Sequence, residues 1–360
     1  LGWYHDLVVL FGGLFLFKEL KETKGEFFMK KLFSGLLAIA MCASITGCGT
    51  GDSGGNTGEV KDLSEVKIGV VQLMQHDALD ASYEGFKDVL VEAGVDEDNI
   101  DYQVAGDAAN CPTIADKLVN DGNDLIYAIA TPALQSAAAA TTEIPIVGCA
   151  ITDYESTDLV KSNDEPGGNV TGASDLTPIN EQFDLLTKLL PDAKKVAIMY
   201  CGSEDNSIVQ GEIAQEAAKD HNLDYEVYTV TDSNDIQAVT NQIVSDENDV
   251  VYIPTDNTLA TYMSSVEAIT SQAKIPCIVG EEGMTNNGGL ATYGINYENL
   301  GREAGKQALA ILKGEKTAAN TPIVQLDAKD CTMVINLKVA QKCDITINKE
   351  DYPEATFIEE

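Results

Sequence analysis

A chain of 360 residues with 58 acidic against 23 basic side chains carries a formal net charge of -35, and such a field repels nucleic acid and anionic lipid headgroups. That length exceeds what one core usually organises, so two domains are expected, and no nucleic-acid partner. The eight cysteines form no C-x-x-C and stand in no zinc spacing with the three histidines, so neither a metal nor a cofactor is expected.

Residues 1–28 read as translated leader, because Lys24, Gly25 and Glu26 back-translate to a ribosome-binding sequence just ahead of Met29. From Met29 the order is two lysines, an apolar run too short to span a bilayer, then Ile45, Thr46, Gly47 and Cys48. Residues 29–47 resemble a bacterial lipoprotein signal, which makes Cys48 the diacylated first residue of the mature protein. An ordinary secretory signal or a buried helix is the alternative. The expected location is outside the cytoplasmic membrane, with lipid on Cys48 as the membrane anchor. Residues 48–64 read as a tether, since the Gly, Ser, Thr, Asn and Asp run from Gly49 to Gly58 cannot bury enough apolar surface to fold.

Three apolar, β-branched runs then appear twice, in the same order. Val66 to Val71 is echoed by Lys195 to Tyr200, Asp124 to Tyr127 by Asp249 to Tyr252, and Ile144 to Gly148 by Ile275 to Gly280. Between them lie stretches of helical period: Leu79 to Ala93, Thr113 to Asn120, Glu181 to Leu190, Ile208 to His221, Asp235 to Ser245 and Leu259 to Ala273. Strands without polar alternation are those covered on both faces. The expected fold class is therefore α/β, two doubly wound parallel-sheet lobes joined by a hinge. A last helix, Glu298 to Lys313, follows the strand Thr292 to Ile295, and Thr321 to Leu326 with Thr332 to Asn336 closes the chain. Crossings placed near Ser174, Tyr293 and Thr321 assign 65–173 and 293–320 to the first lobe. The second lobe takes 174–292 and 321–347, with 348–360 left as an acidic tail. Such crossings form a hinge on which the lobes can close.

In parallel α/β sheets ligands bind beyond the carboxyl ends of the strands, where helix N-termini present unpaired N–H groups. Those ends carry Gln75, His76 and Leu79, then Thr131 and Ala133, then Thr152, Asp153 and Tyr154, then Ser174 and Asp175 in the first half. The second half supplies Asn206 and Ser207, Asp256 and Asn257, Glu281, and Tyr293. Singly, such residues are ordinary helix caps; as two facing rings they suit a small polar ligand. Arg302 is the single arginine, and inside a helix start it suits a structural ion pair, so no guanidinium clamp on the ligand is expected. A ligand carboxylate then falls to N–H groups and hydroxyls at Thr131, Ala133, Asn206 and Ser207. An ammonium falls to Asp256, with Asp153 or Glu281.

Several segments, in order along Val66 to Ile345, resemble the ABC-importer substrate-binding lipoproteins of the type I periplasmic-binding-protein fold, the family that includes tryptophan-, phenylalanine- and tyrosine-binding members. They are His76 to Asp80, Ala128 to Ala133, Pro166 to Gly172, Pro254 to Asn257 and Leu290 to Ile295. The resemblance implies a monomer that holds an amino acid, its aromatic side chain between the lobes, and passes it to ABC permease and ATPase subunits. Leu79, Tyr154, Tyr200 or Tyr293 would supply apolar lining, although each tyrosine equally suits a core. One departure stands out, because the family pattern places Pro after Thr152 and Asp153 where this chain has Tyr154.

Two other functions remain at this stage: a surface sensor or adhesin with the same fold, and a two-lobed racemase-like enzyme using one thiol from each lobe. Cys149 and Cys277 are the candidate thiols, but they are out of register on their strands. No catalytic residue set emerges from the sequence.

Overall fold

The computed structural model describes residues 62–326 and 328–359. The signal segment and Cys48 lie outside the described residues. The first lobe runs β1 (Ile68–Gln72), α1 (Asp77–Glu92), β2 (Ile100–Val104), α2 (Cys111–Asn120), β3 (Leu125–Ile129), α3 (Thr131–Ala140), β4 (Ile146–Ile151) and β5 (Val170–Ser174). The second runs α4 (Ile179–Leu189), β6 (Lys195–Cys201), α5 (Asp205–Asp220), β7 (Asp224–Val230), α6 (Ile236–Ser245), β8 (Val250–Ile253), α7 (Asn257–Thr270), β9 (Cys277–Val279), α8 (Glu282–Asn286) and β10 (Ala291–Gly294). The chain ends with α9 (Tyr297–Leu312), β11 (Val324–Gln325), β12 (Thr332–Asn336), α10 (Leu337–Lys342) and β13 (Thr356–Ile358).

Two sheets result, ordered β11-β5-β4-β3-β1-β2 and β13-β12-β10-β9-β8-β6-β7. Among the described residues only β10 with β12 pairs antiparallel. The lack of polar alternation has the anticipated cause: β1, β3 and β4 are buried along their whole length. Along β6, Val196, Ile198 and Tyr200 enter one core while Ala197, Met199 and Cys201 enter another on the opposite face. A period of two between faces that are both apolar reads as one continuous apolar run.

The chain changes lobe three times: between β5 and α4, between β10 and α9, and between β11 and β12. The first two lie within a few residues of Ser174 and Tyr293. The third differs from expectation, because Val324 and Gln325 pair with Ala173 and Ser174 in the first sheet, so the crossing falls after Gln325 and not at Thr321. The expected acidic tail also contributes structure, with Val334, Ile335 and Asn336 paired to Thr356, Phe357 and Ile358. Tyr352 is buried in the core beneath them.

Helices α1 and α9 pack backbone to backbone, and glycine makes this possible. A methyl on Gly301 would lie 2.8 Å from the Ser82 carbonyl carbon and 3.0 Å from its Cα, and one on Gly85 would lie 2.9 Å from the Glu298 carbonyl carbon. Arg302 seals the outer edge of this contact with Asp88 at 3.4 Å and Glu92 at 3.2 Å. It serves the ion-pair role and stands away from the cleft.

Candidate functional site

The carboxyl ends of the two sheets face one another, and the loops beyond them enclose a cavity lined from both lobes. His76, Leu79, Thr152 and Asp175 come from the first lobe, with Tyr297 at the start of α9, and Asn206, Asp256, Asn257 and Glu281 come from the second. A β-bulge between β4 and β5 shifts register after Gly148. It places Ala150 at φ 57°, a left-handed conformation that costs an alanine about 1 kcal/mol or more, and delivers Thr152 to the cavity wall. The cavity measures about 20 Å3, room for about one water. The lobes are closed on each other.

Three carboxylates dominate this wall, and among the described residues no lysine or arginine lines it. Asp175 is 5% exposed, Asp256 2% and Glu281 3%. Asp256 accepts the Cys201 N–H at 2.6 Å and caps α7 through the Leu259 N–H at 2.7 Å. Glu281 caps α8, accepting the N–H groups of Gly283 at 2.5 Å and Met284 at 2.6 Å. Asp175 accepts hydroxyls from Tyr297 at 2.7 Å and Thr152 at 3.3 Å. Burial first, then the nearby Glu204 charge, pushes the Asp256 carboxyl up to about 7. Burial likewise pushes Glu281 up to about 7, against the two N–H bonds that favour its ionised form. Asp175 is raised for the same reason. Carboxylates taken from water without a counter-charge behave this way, and a cation entering among them reverses the effect.

Hydrogen bonds cross the cleft at several points. His76 Nε2 lies 3.2 Å from Asn257 Oδ1, Gln210 donates to Thr152 at 3.3 Å, Gln135 to Asp205 at 3.2 Å, and Asn287 to Asp77 at 3.0 Å. Thr261 meets the Met74 sulfur at 3.3 Å. Behind Asn257, Glu204 accepts the Asn257 side-chain N–H at 2.6 Å and the Thr258 backbone N–H at 3.0 Å. Among the described residues, two buried polar atoms of residues lining the cavity have no partner, His76 Nδ1 and Asn206 Oδ1.

The remaining sequence candidates lie elsewhere. Thr131 and Asp153 line a second depression beside the cleft, which Asn206 reaches as well as the cavity, and Asp153 caps its own turn through the N–H groups of Glu155 and Ser156. Ala133 is fully buried in the first-lobe core, Ser174 donates to the Thr152 carbonyl, and Ser207 is buried beneath Asn206. Gln75 is exposed at the cleft mouth. Tyr154 is a correction: its ring is in the first-lobe core and its hydroxyl donates to the Ala173 carbonyl at 3.3 Å. That hydroxyl lies where side chains on Gly148 and Gly172 would be, so the two glycines are what admit a tyrosine here. Tyr293 is another, packed on the second-lobe core with its hydroxyl donating to the Ala328 carbonyl. Tyr200 is filled in against Gly211 within that same core. Sequence reasoning missed Tyr297 and Gln210, and placed Glu204 at a strand end without giving it a role at the site.

Cys149 and Cys277 lie in separate cores, one per lobe, and burial pushes both thiols up to about 12. Neither lines the cavity, which removes the geometric basis for a two-thiol reaction.

Comparison with known proteins agrees with this geometry. The sequence model of a family described as ABC transporter substrate binding protein matches residues 67–356. A tyrosine-binding protein of Clostridioides difficile strain R20291 is 36% identical over 329 residues, spanning 89% of this chain and 93% of that protein. An ABC domain from Streptococcus pneumonia, solved in complex with L-Trp, is 37% identical with a TM-score of 0.77, covering 81% of this chain and 100% of that one. A ligand-free, open substrate-binding protein with adhesive properties from Clostridium difficile is 35% identical but has a TM-score of 0.63, covering 82% of this chain and 99% of that one. At nearly equal identity, the conformation here is nearer the L-Trp complex than the open form, in keeping with the bonds across the cleft.

Proposed function

This chain belongs to the ABC transporter substrate-binding protein family, and we propose that it captures an aromatic α-amino acid between its lobes and delivers it to an ABC permease and ATPase. The observation that carries this is the interlobe wall of three buried carboxylates with no lysine or arginine among the described residues that line it. An α-ammonium supplies the missing counter-charge. The ligand carboxylate is assigned to the start of α1, which has no side-chain cap and whose Ala78 and Leu79 line the cavity; there the helix dipole and unpaired N–H groups favour an anion. The L-Trp and tyrosine bound by the relatives support the aromatic class.

A cavity of about 20 Å3 cannot admit such a ligand, so entry requires an open form, reached by bending at the three crossings. Ligand then shifts the population toward closure, and the closed shape is what the permease reads. Binding needs no bond to be made or broken, and the proposed role is not enzymatic. The protein acts as a monomer outside the cytoplasmic membrane, held by lipid on Cys48. Among the described residues no helix is long and apolar enough to cross a membrane.

A thermal-shift screen of the twenty amino acids, nucleosides and simple sugars tests this, since ligand at 100 times its dissociation constant adds about 2.7 kcal/mol. Tryptophan or tyrosine should raise the melting temperature most; stabilisation by sugars or nucleosides instead would overturn the assignment. The adhesive properties of the open relative favour one second reading, display at the surface without transport. Unimpaired amino-acid uptake in a deletion strain would select it.

A further inference from the structure

The hydrogen bonds around His76 determine which of its ring nitrogens carries the proton. Asn257 donates its side-chain N–H to the Glu204 carboxylate at 2.6 Å, so its Oδ1 is the atom turned toward His76 Nε2 at 3.2 Å. An amide oxygen only accepts, so Nε2 must hold the hydrogen. Burial pulls the imidazole below its ordinary range, which favours its neutral form, and a neutral ring with Nε2–H has an unprotonated Nδ1. That Nδ1 is buried and has no partner among the described residues, and His76 lines the cavity. It is an acceptor awaiting a donor. Because His76 belongs to the first lobe and Asn257 with Glu204 to the second, this state is fixed only when the lobes are closed.

The ligand has two kinds of donor to offer. Its charged ammonium is drawn to Asp175, Asp256 and Glu281, where a cation is needed. A neutral imidazole nitrogen is matched instead by a neutral N–H or O–H. We propose that His76 Nδ1 accepts a hydrogen bond from a side-chain donor of the ligand, an indole N–H or a phenol O–H, and thereby selects tryptophan or tyrosine over phenylalanine. His76 is then a specificity residue, and Glu204 is a positioning residue that acts on it through Asn257. The inference rests on the aromatic amino-acid assignment and adds to it the chemistry of the ring. A site built around a donor rejects the analogue that lacks one, because its own acceptor is left buried and unpaired.

Calorimetric titration of the wild-type protein with L-Trp, L-Tyr and L-Phe gives the first test. Phenylalanine should bind roughly 10- to 100-fold more weakly than the better of the other two. His76→Leu should collapse that ratio toward one, while His76→Asn, whose amide oxygen replaces the acceptor, should restore part of it. In the wild-type complex, nitrogen NMR of the His76 ring should report protonated Nε2 and an Nδ1 resonance that moves on adding tyrosine or tryptophan but not phenylalanine. Glu204→Gln should weaken tyrosine or tryptophan binding and mix the two tautomers. Equal affinities for all three amino acids in the wild type, or a protonated Nδ1 in the complex, would overturn the proposal even if His76 variants fail to fold. Absence of binding by any aromatic amino acid would overturn the parent assignment and this one together, a different result from binding without discrimination.

Discussion

Replacing Gly301 by alanine tests the contact on which the first-lobe side of the site is built. Helix α1 brings His76 and Leu79 to the cavity from its start, and α9 brings Tyr297 from its own. The two are held at glycine distance, with the Ser82 carbonyl carbon 2.8 Å and Cα 3.0 Å from where a Gly301 methyl would lie. The obstructing atoms are helix backbone, so no rotamer change relieves them. Overpacking of this kind costs about 1–3 kcal/mol, and a rigid backbone obstacle puts the cost at the upper end. Intrinsic helix propensity acts the other way, favouring alanine over glycine by about 1 kcal/mol. The expected net loss is about 2 kcal/mol, or a melting temperature about 3 °C lower for a protein of this size. Circular dichroism against temperature and urea measures it, and titration with tryptophan should show weakened affinity as Tyr297 and His76 are forced apart. A variant as stable as wild type, or more stable, would mean that propensity outweighs packing and that the helices are not in backbone contact.

Other outcomes follow from the same wall of carboxylates. Asp256→Ala should weaken amino-acid binding and also lower stability by about 1–2 kcal/mol, because α7 loses its cap and the buried Cys201 N–H loses its acceptor; urea unfolding with an unchanged midpoint would contradict this. Asp256 and Glu281 have carboxyls at about 7 when folded, above their ordinary 3.8 and 4.5. The folded state therefore holds protons that the unfolded state sheds. Stability of the ligand-free protein is full below about pH 4 as far as these groups are concerned and declines as pH rises through about 7. An ammonium favours their ionised forms, so binding near pH 6.5 should release protons, measured as a dependence of the calorimetric enthalpy on buffer ionisation; proton uptake or no exchange would remove the carboxylates from the ligand's charge. Cys149 and Cys277, buried with thiols at about 12, should resist maleimide in the native protein and react only on unfolding.

The strands and most helices were legible because their pattern is local: an apolar, β-branched run or a helical period survives wherever the chain goes. The chain crosses between lobes close to Ser174 and Tyr293, after β5 and after β10, so that Tyr293 itself stays with the second lobe. The place of Val324 and Gln325 was not legible, because a two-residue strand carries no information about which sheet it joins. The site was legible as a set of strand ends, and His76, Thr152, Asp175, Asn206, Asp256, Asn257 and Glu281 do converge. Side-chain direction was not. Tyr154 and Tyr293 stand at the right place along the chain, yet both turn into cores, Tyr154 because Gly148 and Gly172 leave room behind it. Tyr297 reached the cavity by being the first residue of α9, where the sequence offers only a helix start. The buried bonds that Glu204 and Gln210 make are long-range, and nothing in their neighbours announces them.

Paired titrations with L-tryptophan and with its analogue lacking the amino group put the ammonium-seeking cavity to the most direct test. One-to-one binding of L-tryptophan, with the des-amino acid bound at least about a hundredfold more weakly, is the expected result, because the analogue brings a carboxylate and no cation to a wall of carboxylates. Equal binding of the two would show that Asp175, Asp256 and Glu281 do not hold the ligand's charge, and the assignment of this cleft to an amino acid would fall.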